Sequence, residues 1–178
     1  MPTFPKTESK KMNAREYQQF LESSQVKKEE EKNIGNILPD SVTALDKHGN
    51  EVSLKSLLHG PAVVVKTIEG CEPCSWLDSY IEQHGDDYIA DNGVQIVVLY
   101  TGSPADPDAS DYPRNMPPQV TVLHHPGFMF NGFLGGANVP AVYFFNGKLE
   151  LVRAREGVSG SVESLLKYPR STQTGHKS

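Results

Sequence analysis

What most limits how this chain can fold is a pair of cysteines set between a pattern for a buried strand and a pattern for a helix. Pro61-Ala62-Val63-Val64-Val65 opens one continuous apolar, β-branched run, and Val94-Gln95-Ile96-Val97-Val98-Leu99-Tyr100 is a second. Continuous rather than alternating apolar character suits a strand covered on both faces. Lys66 and Thr67 read as the end of the first run, with Ile68-Glu69-Gly70 leading into Cys71. Beyond it the period lengthens: Cys74, Leu77 and Ile81 recur at helical spacing, with Tyr80 beside them. Gly85 or Gly93 is expected to stop that helix. A strand, a helix and a strand in this order predict a parallel, right-handed βαβ unit and an α/β fold.

The rest of the chain supplies partners for such a unit. Val42, Leu45, Val52 and Leu54 flank Lys47-His48-Gly49-Asn50, which predicts a β-hairpin, followed by a connector over 57–61. Residues 101–118 are rich in Pro, Asp, Ser and Gly and read as a surface loop. Val120 to Leu123 is a short strand, and 126–133 has room for one short helix. Ala141 to Phe145, Asn146-Gly147 and Lys148 to Val152 predict a hairpin with a two-residue turn. Ser161 is placed to cap a last helix through Leu165 and Leu166, ended by Pro169. Near the start, Asn13 and Glu16 have capping-box spacing, Tyr17, Phe20 and Leu21 make a narrow apolar stripe, and the charged run 27–32 reads as a solvated helix end. The expected organisation is a charged helix or flexible segment over 1–33, one domain over 34–169, and a disordered tail over 170–178.

Composition narrows the function. A net charge of -5 argues against a nucleic-acid partner, which calls for a basic face. No apolar run approaches the ~20 residues of a membrane span. The opening MPTFPKTESKK lacks the apolar centre of a secretory signal, so the chain reads as cytoplasmic, or as periplasmic and envelope-facing if a signal has been removed. There are only 2 cysteines, three positions apart. A disulfide scaffold uses more, and a four-ligand zinc site normally needs a second Cys or His pair. A lone pair at this spacing is what a redox couple needs.

The first cysteine opens a helix, where exposed N–H groups and the helix dipole favour thiolate over thiol. Pro73 needs no donor there, and its fixed φ shapes the turn. The implied chemistry is thiol–disulfide exchange. Cys71 attacks a disulfide, a mixed disulfide forms, and Cys74 resolves it. Two inert cysteines, or a metal site completed by His124 or His125, are the competing readings; His84 reads as a surface residue. Val139-Pro140, just before the strand at Ala141, fits either a plain strand start or a cis peptide that offers the Val139 backbone to a substrate. Lys66 is either a strand-end lysine whose head reaches water or a cation that assists deprotonation of Cys74. Glu69 joins it as a candidate for proton handling. Trp76, one turn into the helix, is a packing residue or a substrate contact.

These residues resemble a known family. Leu38-Pro39-Asp40, the hairpin around Gly49, Leu54, Gly60, Val63-Val64-Val65 and Cys71-Glu72-Pro73-Cys74 resemble the TlpA/ResA branch of the thioredoxin superfamily, related to the AhpC/TSA group. Val139-Pro140 followed by Ala141 to Glu150 resembles that family's cis-proline strand and closing hairpin. The resemblance spans about residues 36–168. It implies a thioredoxin-like three-layer sandwich: a four- or five-stranded mixed sheet with helices on both faces and an N-terminal hairpin extension. It implies Cys71 as attacking thiol, Cys74 as resolving thiol and Pro140 as the cis-proline. An acidic residue between the cysteines resembles the reducing, envelope-facing members.

The chain departs from the family pattern at Gly70, where an aromatic residue is usual. It departs again at Val65, where thioredoxins keep a buried polar group, and at Leu77, where some members carry an acid. A peroxiredoxin would need Pro-x-x-x-Thr-x-x-Cys, and Thr67 stands one position too early with no proline in place. The resulting expectation is a reductase of protein disulfides without a cofactor or metal. Its partners would be disulfide or thiol substrates and a separate electron donor. A non-catalytic binding module and a peroxiredoxin-like peroxidase are the alternatives.

Overall fold

The computed structural model describes residues 13–21, 24–101, 115–125, 132–134, 139–158 and 160–169. Most of the expected 101–118 loop, most of the 126–133 helix and the 170–178 tail therefore lie outside the described residues. The βαβ unit is present. Strand β3 (Ala62–Ile68), helix α4 (Glu72–Asn92) and strand β4 (Gln95–Thr101) follow one another, with β3 and β4 parallel and Val64 opposite Val97. The first strand runs on to Ile68 instead of ending at Lys66, because Lys66 has neighbours on both sides, Leu99 in β4 and Ala141 in β6 (Ala141–Phe145).

Gly93, at φ 66°, ends α4 and donates its N–H to Ile89 O. Gly85 is interior and serves close packing instead: a Cβ there would lie 3.2 Å from Val120 Cγ2 and 3.4 Å from Pro117 Cγ.

β5 (Thr121–His125) pairs parallel to β4, β6 pairs antiparallel to β3, and β7 (Leu151–Glu156) pairs antiparallel to β6. The N-terminal hairpin, β1 (Thr43–Leu45) and β2 (Glu51–Ser53), joins the same sheet through Leu45 opposite His124. The sheet therefore has seven strands in the order β2-β1-β5-β4-β3-β6-β7: a five-stranded mixed sheet, as expected, extended at one edge by the N-terminal hairpin. Leu54 belongs to a helical turn, α3 (Leu54–Leu57), where it is fully buried, and not to a strand.

Side chains alternate across the sheet and build two cores. Val63, Val65, Val98, Val142 and Phe144 pack with Leu77 and Ile81 of α4 and with Leu165 of α5 (Val162–Leu165). Ala62, Val64, Val97, Leu99, Tyr143 and Phe145 pack on the other face with Leu54 and with Leu134 of a 3-10 turn (Gly132–Leu134). This is a three-layer arrangement with helices on both faces.

The second hairpin turn is wider than the two residues expected. Asn146 accepts the N–H groups of Lys148 and Glu150 on its side-chain oxygen, and Leu149 takes a left-handed φ of 63°. The first hairpin uses the same device, with Asp46 accepting from His48 and Asn50 and Gly49 left-handed. The Asx side chain that organises each loop outweighs the local preference of Asn-Gly.

At the start of the chain, α1 (Ala14–Leu21) begins with the expected reciprocal cap: Glu16 N–H donates to Asn13 Oδ1 at 2.8 Å and Asn13 N–H to Glu16 Oε1 at 3.1 Å. A second helix, α2 (Ser24–Glu31), packs on the edge strand β7. There Glu156 N–H donates to Glu30 Oε2 at 2.8 Å, and Val158 N–H donates to the Tyr17 hydroxyl at 3.3 Å. The stretch after α2 covers the near end of the same edge, with Gly35 N–H on Leu151 O and Leu151 N–H on Asn36 O. An open edge invites unwanted strand pairing, and these contacts close it. No helix among the described residues is long and apolar enough to cross a membrane.

Burial raises the pKa of Glu30 above the usual carboxylate value, against the lowering effect of the Glu156 N–H and of Arg155 and Lys27. The native state then binds more protons than the unfolded state, so this group's contribution is full below the ordinary glutamate pKa and declines as pH rises through the raised value. Glu30→Gln keeps the acceptor oxygen and discards the charge. Urea unfolding from roughly pH 4 to 8 is expected to show a falling stability component in the parent that the variant lacks. A variant that loses stability at pH 7 would show that the charge itself holds the helix.

Candidate active site

The site is built where β3 gives way to α4. Gly70 has φ 78°, a conformation that an L side chain adopts only with strain, and this explains why no aromatic residue precedes the first cysteine. Glu69 ties the linker to β4 through its N–H on Thr101 O at 2.8 Å, and its side chain is exposed. Cys71 is the N-cap of α4: its Sγ accepts the Cys74 N–H at 3.2 Å, and its carbonyl accepts the Ser75 N–H at 3.1 Å. Pro73 lies in the first turn, where no N–H is called for.

Cys71 and Cys74 form a disulfide, with Cα atoms 5.2 Å apart. The two sulfurs are not equivalent. Cys71 is half-buried, whereas Cys74 is 1% exposed. Trp76, two residues after Cys74 and one turn into α4, is 49% exposed.

The Val139–Pro140 peptide, left open between cis and trans by the sequence, is cis. Lys66 pairs with Ala141, so Pro140 sits at the C-terminal end of β3, the end that leads into Cys71. Pro140 is buried, and its carbonyl accepts the Gly157 N–H at 2.6 Å; Val139 is half-buried.

Both expectations for Lys66 need correction. It is 3% exposed, so its head does not reach water. By strand alternation it shares the face of Ala62 and Val64, opposite to α4. There its Nζ donates to Leu134 O at 2.7 Å and lies 5.9 Å from the centre of the Tyr143 ring. The ammonium is committed to the layer opposite α4 and does not face Cys74.

On the α4 face the sheet carries a polar row that the sequence reading missed. Thr67 stands opposite Tyr100, and Tyr100 opposite His124, whose rings are 6.2 Å apart; all three are buried. Asp78, 7% exposed, belongs to the buried stripe of α4 with Cys74, Leu77 and Ile81. It lies four residues after Cys74, one helical turn on, so the two share a side of the helix. That spacing is the signal the sequence carries for it. His84 is exposed and its ring lies tilted against that of Tyr80, with ring centres 4.6 Å apart. Among the described residues no group of three or more His, Cys, Asp or Glu is arranged to hold a metal ion.

This arrangement of sheet, helix and cysteine pair is the thioredoxin-like fold. The comparisons agree at the level of architecture. A protein assigned as thiol:disulfide interchange protein DsbE from Chlorobium tepidum superposes with a TM-score of 0.55 at 21% identity, over 70% of this chain and 85% of its own. The thioredoxin domain of a thiol-disulfide oxidoreductase from Bacteroides vulgatus gives 0.50 at 16%, over 80% and 96%. A thiol peroxidase from Chromobacterium violaceum gives 0.51 at 15%, over 81% and 87%. No protein-family model and no curated protein sequence matches the chain. At these identities the likeness carries the fold, and the chemistry rests on the cysteine site itself.

The unequal burial of the sulfurs has a direct readout. After reduction, iodoacetamide is expected to label Cys71 at least roughly tenfold faster than Cys74 near neutral pH, as peptide mass spectrometry would measure. Equal rates would contradict the division between an accessible and a buried thiol.

Proposed function

We propose that this protein is a thiol–disulfide oxidoreductase that reduces protein disulfides through its Cys71/Cys74 dithiol. The observation that carries the reading is a half-buried cysteine capping the N-terminus of α4, disulfide-linked to a buried cysteine in the helix's first turn. In the reduced protein the Cys71 thiolate keeps the Cys74 N–H as a charge-assisted donor and lies at the positive end of the helix dipole. It attacks a substrate disulfide, forming one S–S bond and expelling one substrate thiolate. Cys74 loses its proton and attacks Cys71 Sγ, expelling the second. Two electrons pass to the substrate, and the protein is left with its own disulfide.

The other residues have proposed roles around this exchange. Pro73 fixes the turn. Trp76 offers an apolar platform to the substrate chain. Val139, at the same end of the sheet, presents its backbone to an extended substrate strand, and Pro140, which has no N–H, adds no unpaired donor beside the sulfurs. Glu69, exposed at the mouth, is placed to exchange protons with solvent. Residues 34–169 form the catalytic domain in this reading, and the N-terminal helices shield its sheet edge. Regeneration requires a thiol donor: the general reducing pool in the cytoplasm, or a dedicated partner in an oxidising, envelope-facing location.

The test uses paired serine variants. Cys71→Ser is expected to abolish disulfide reduction, assayed with insulin. Cys74→Ser is expected to accumulate a mixed disulfide through Cys71, visible as a mass adduct that thiol reagents release. An adduct formed through Cys74 in the Cys71→Ser variant would reverse the assigned roles.

A further inference from the structure

The geometry points to Asp78 and His124 as a buried acid–imidazole couple that takes up and returns the proton of Cys74 during resolution. This deepens the exchange reading and rests on it. The residues come from different elements, 46 positions apart in the chain, and three observations bring them together.

The first is the side of α4 on which Asp78 lies. Gly85 meets Pro117 and Val120, the residues that lead into β5. Asp78 is seven residues earlier, two turns back with only ~20° of drift, and so projects from the same side of the helix. The second is height. α4 connects two parallel strands and therefore runs antiparallel to them, and β5 is parallel to β4. Going back from Gly85 to Asp78 climbs ~10 Å at ~1.5 Å per residue. Going forward from Val120 to His124 climbs ~13 Å at ~3.3 Å per residue. The two side chains arrive at about the same level. The third is facing. Val122 packs in the core under α4, and Leu123 in the opposite core, so His124 faces α4. Both residues are withdrawn from solvent, at 7% and 5% exposure.

Cys74 is one turn from Asp78 on the side of the sheet end that carries the disulfide. Among the described residues, the titratable groups facing Asp78 are Cys74 and the half-exposed Glu82 on α4, with Tyr100 and His124 on the sheet. Lys66 is on the other face.

In the proposed step the Cys74 S–H bond breaks and its proton passes to the Asp78 carboxylate. The Cys74 thiolate forms the S–S bond to Cys71 as the Cys71–substrate S–S bond breaks, and the departing substrate thiolate receives the proton. The net change is oxidation of the dithiol and reduction of the substrate disulfide. His124 is a positioning residue that orients the carboxylate.

Ellman's reagent separates the two halves of the reaction. Reduced protein releases one coloured thiolate when Cys71 attacks and a second when Cys74 resolves the adduct. Asp78→Asn is expected to leave the first release at the parent rate. It should slow the second by roughly a hundredfold near pH 7, the lower range of what a positioned proton acceptor contributes, and move its pH midpoint upward. Asp78→Glu should recover part of the loss, and His124→Gln should shift the same midpoint less. A second release with parental rate and pH midpoint in Asp78→Asn would overturn the couple. No first release from the parent protein would overturn the exchange reading beneath it. Asp78→Asn is nearly isosteric, and the first release is an internal control: loss of folding would expose both thiols and move the first release away from the parental rate. In that event, a parental pH midpoint for the second release in Asp78→Glu and His124→Gln would count against the couple.

Discussion

The structure depends on β3 being buried on every side. It has a strand hydrogen-bonded along each edge and a core packed on each face. A one-residue slip in its register would turn every side chain to the other face. Val65 and Thr67 would leave the α4 side, Lys66 would enter it, and the glycine turn that delivers Cys71 to the helix start would move. The position of the sulfurs is thus fixed from behind, by packing about which the sulfurs themselves have no say.

The same burial constrains the polar groups. Lys66 lies within a strand that admits no solvent, and it is accommodated by the Leu134 carbonyl and the Tyr143 ring on the face away from α4. On the near face lie the buried Thr67, Tyr100 and His124 of the sheet, and Asp78 belongs to the buried stripe of α4. Buried polar groups are costly unless they are satisfied, and they concentrate where chemistry requires protons to move. The Lys66 nitrogen is thereby held on the face away from α4, and Asp78 and His124 are on the other side of the sheet.

Much of this was legible in the sequence for reasons that can be named. The β-branched runs at Val63 and Val97, the helical period after Cys74 and the Asn13–Glu16 cap are local signals, and local physics decided them. The cysteine pair could be placed at a helix start because the period changes there. What was not legible came from tertiary neighbours. Lys66 reads as a strand end until Leu99 and Ala141 are seen on either side of it. Gly85 reads as a stop until Val120 is seen against it. Leu149 adopts a positive φ because Asn146 organises the loop, an effect that the Asn-Gly dipeptide alone masks. Asp78 shows only its spacing from Cys74, and His124 reads only as a candidate metal ligand, since nothing local relates the helix that carries one to the strand that carries the other. The docking of α2 through Glu30 likewise depends on an edge strand more than a hundred residues away.

The central claim is that Cys71 and Cys74 are a reversible redox couple, and a redox titration tests it most directly. The protein would be equilibrated in glutathione buffers of graded ratio, acid-quenched, and scored by mass for alkylated thiols. The account predicts a single two-electron transition in which both cysteines change state together, with a potential between about -270 and -120 mV, the span of proteins that use such pairs. Cysteines that change state independently of one another, or that fail to equilibrate across the whole series, would contradict it.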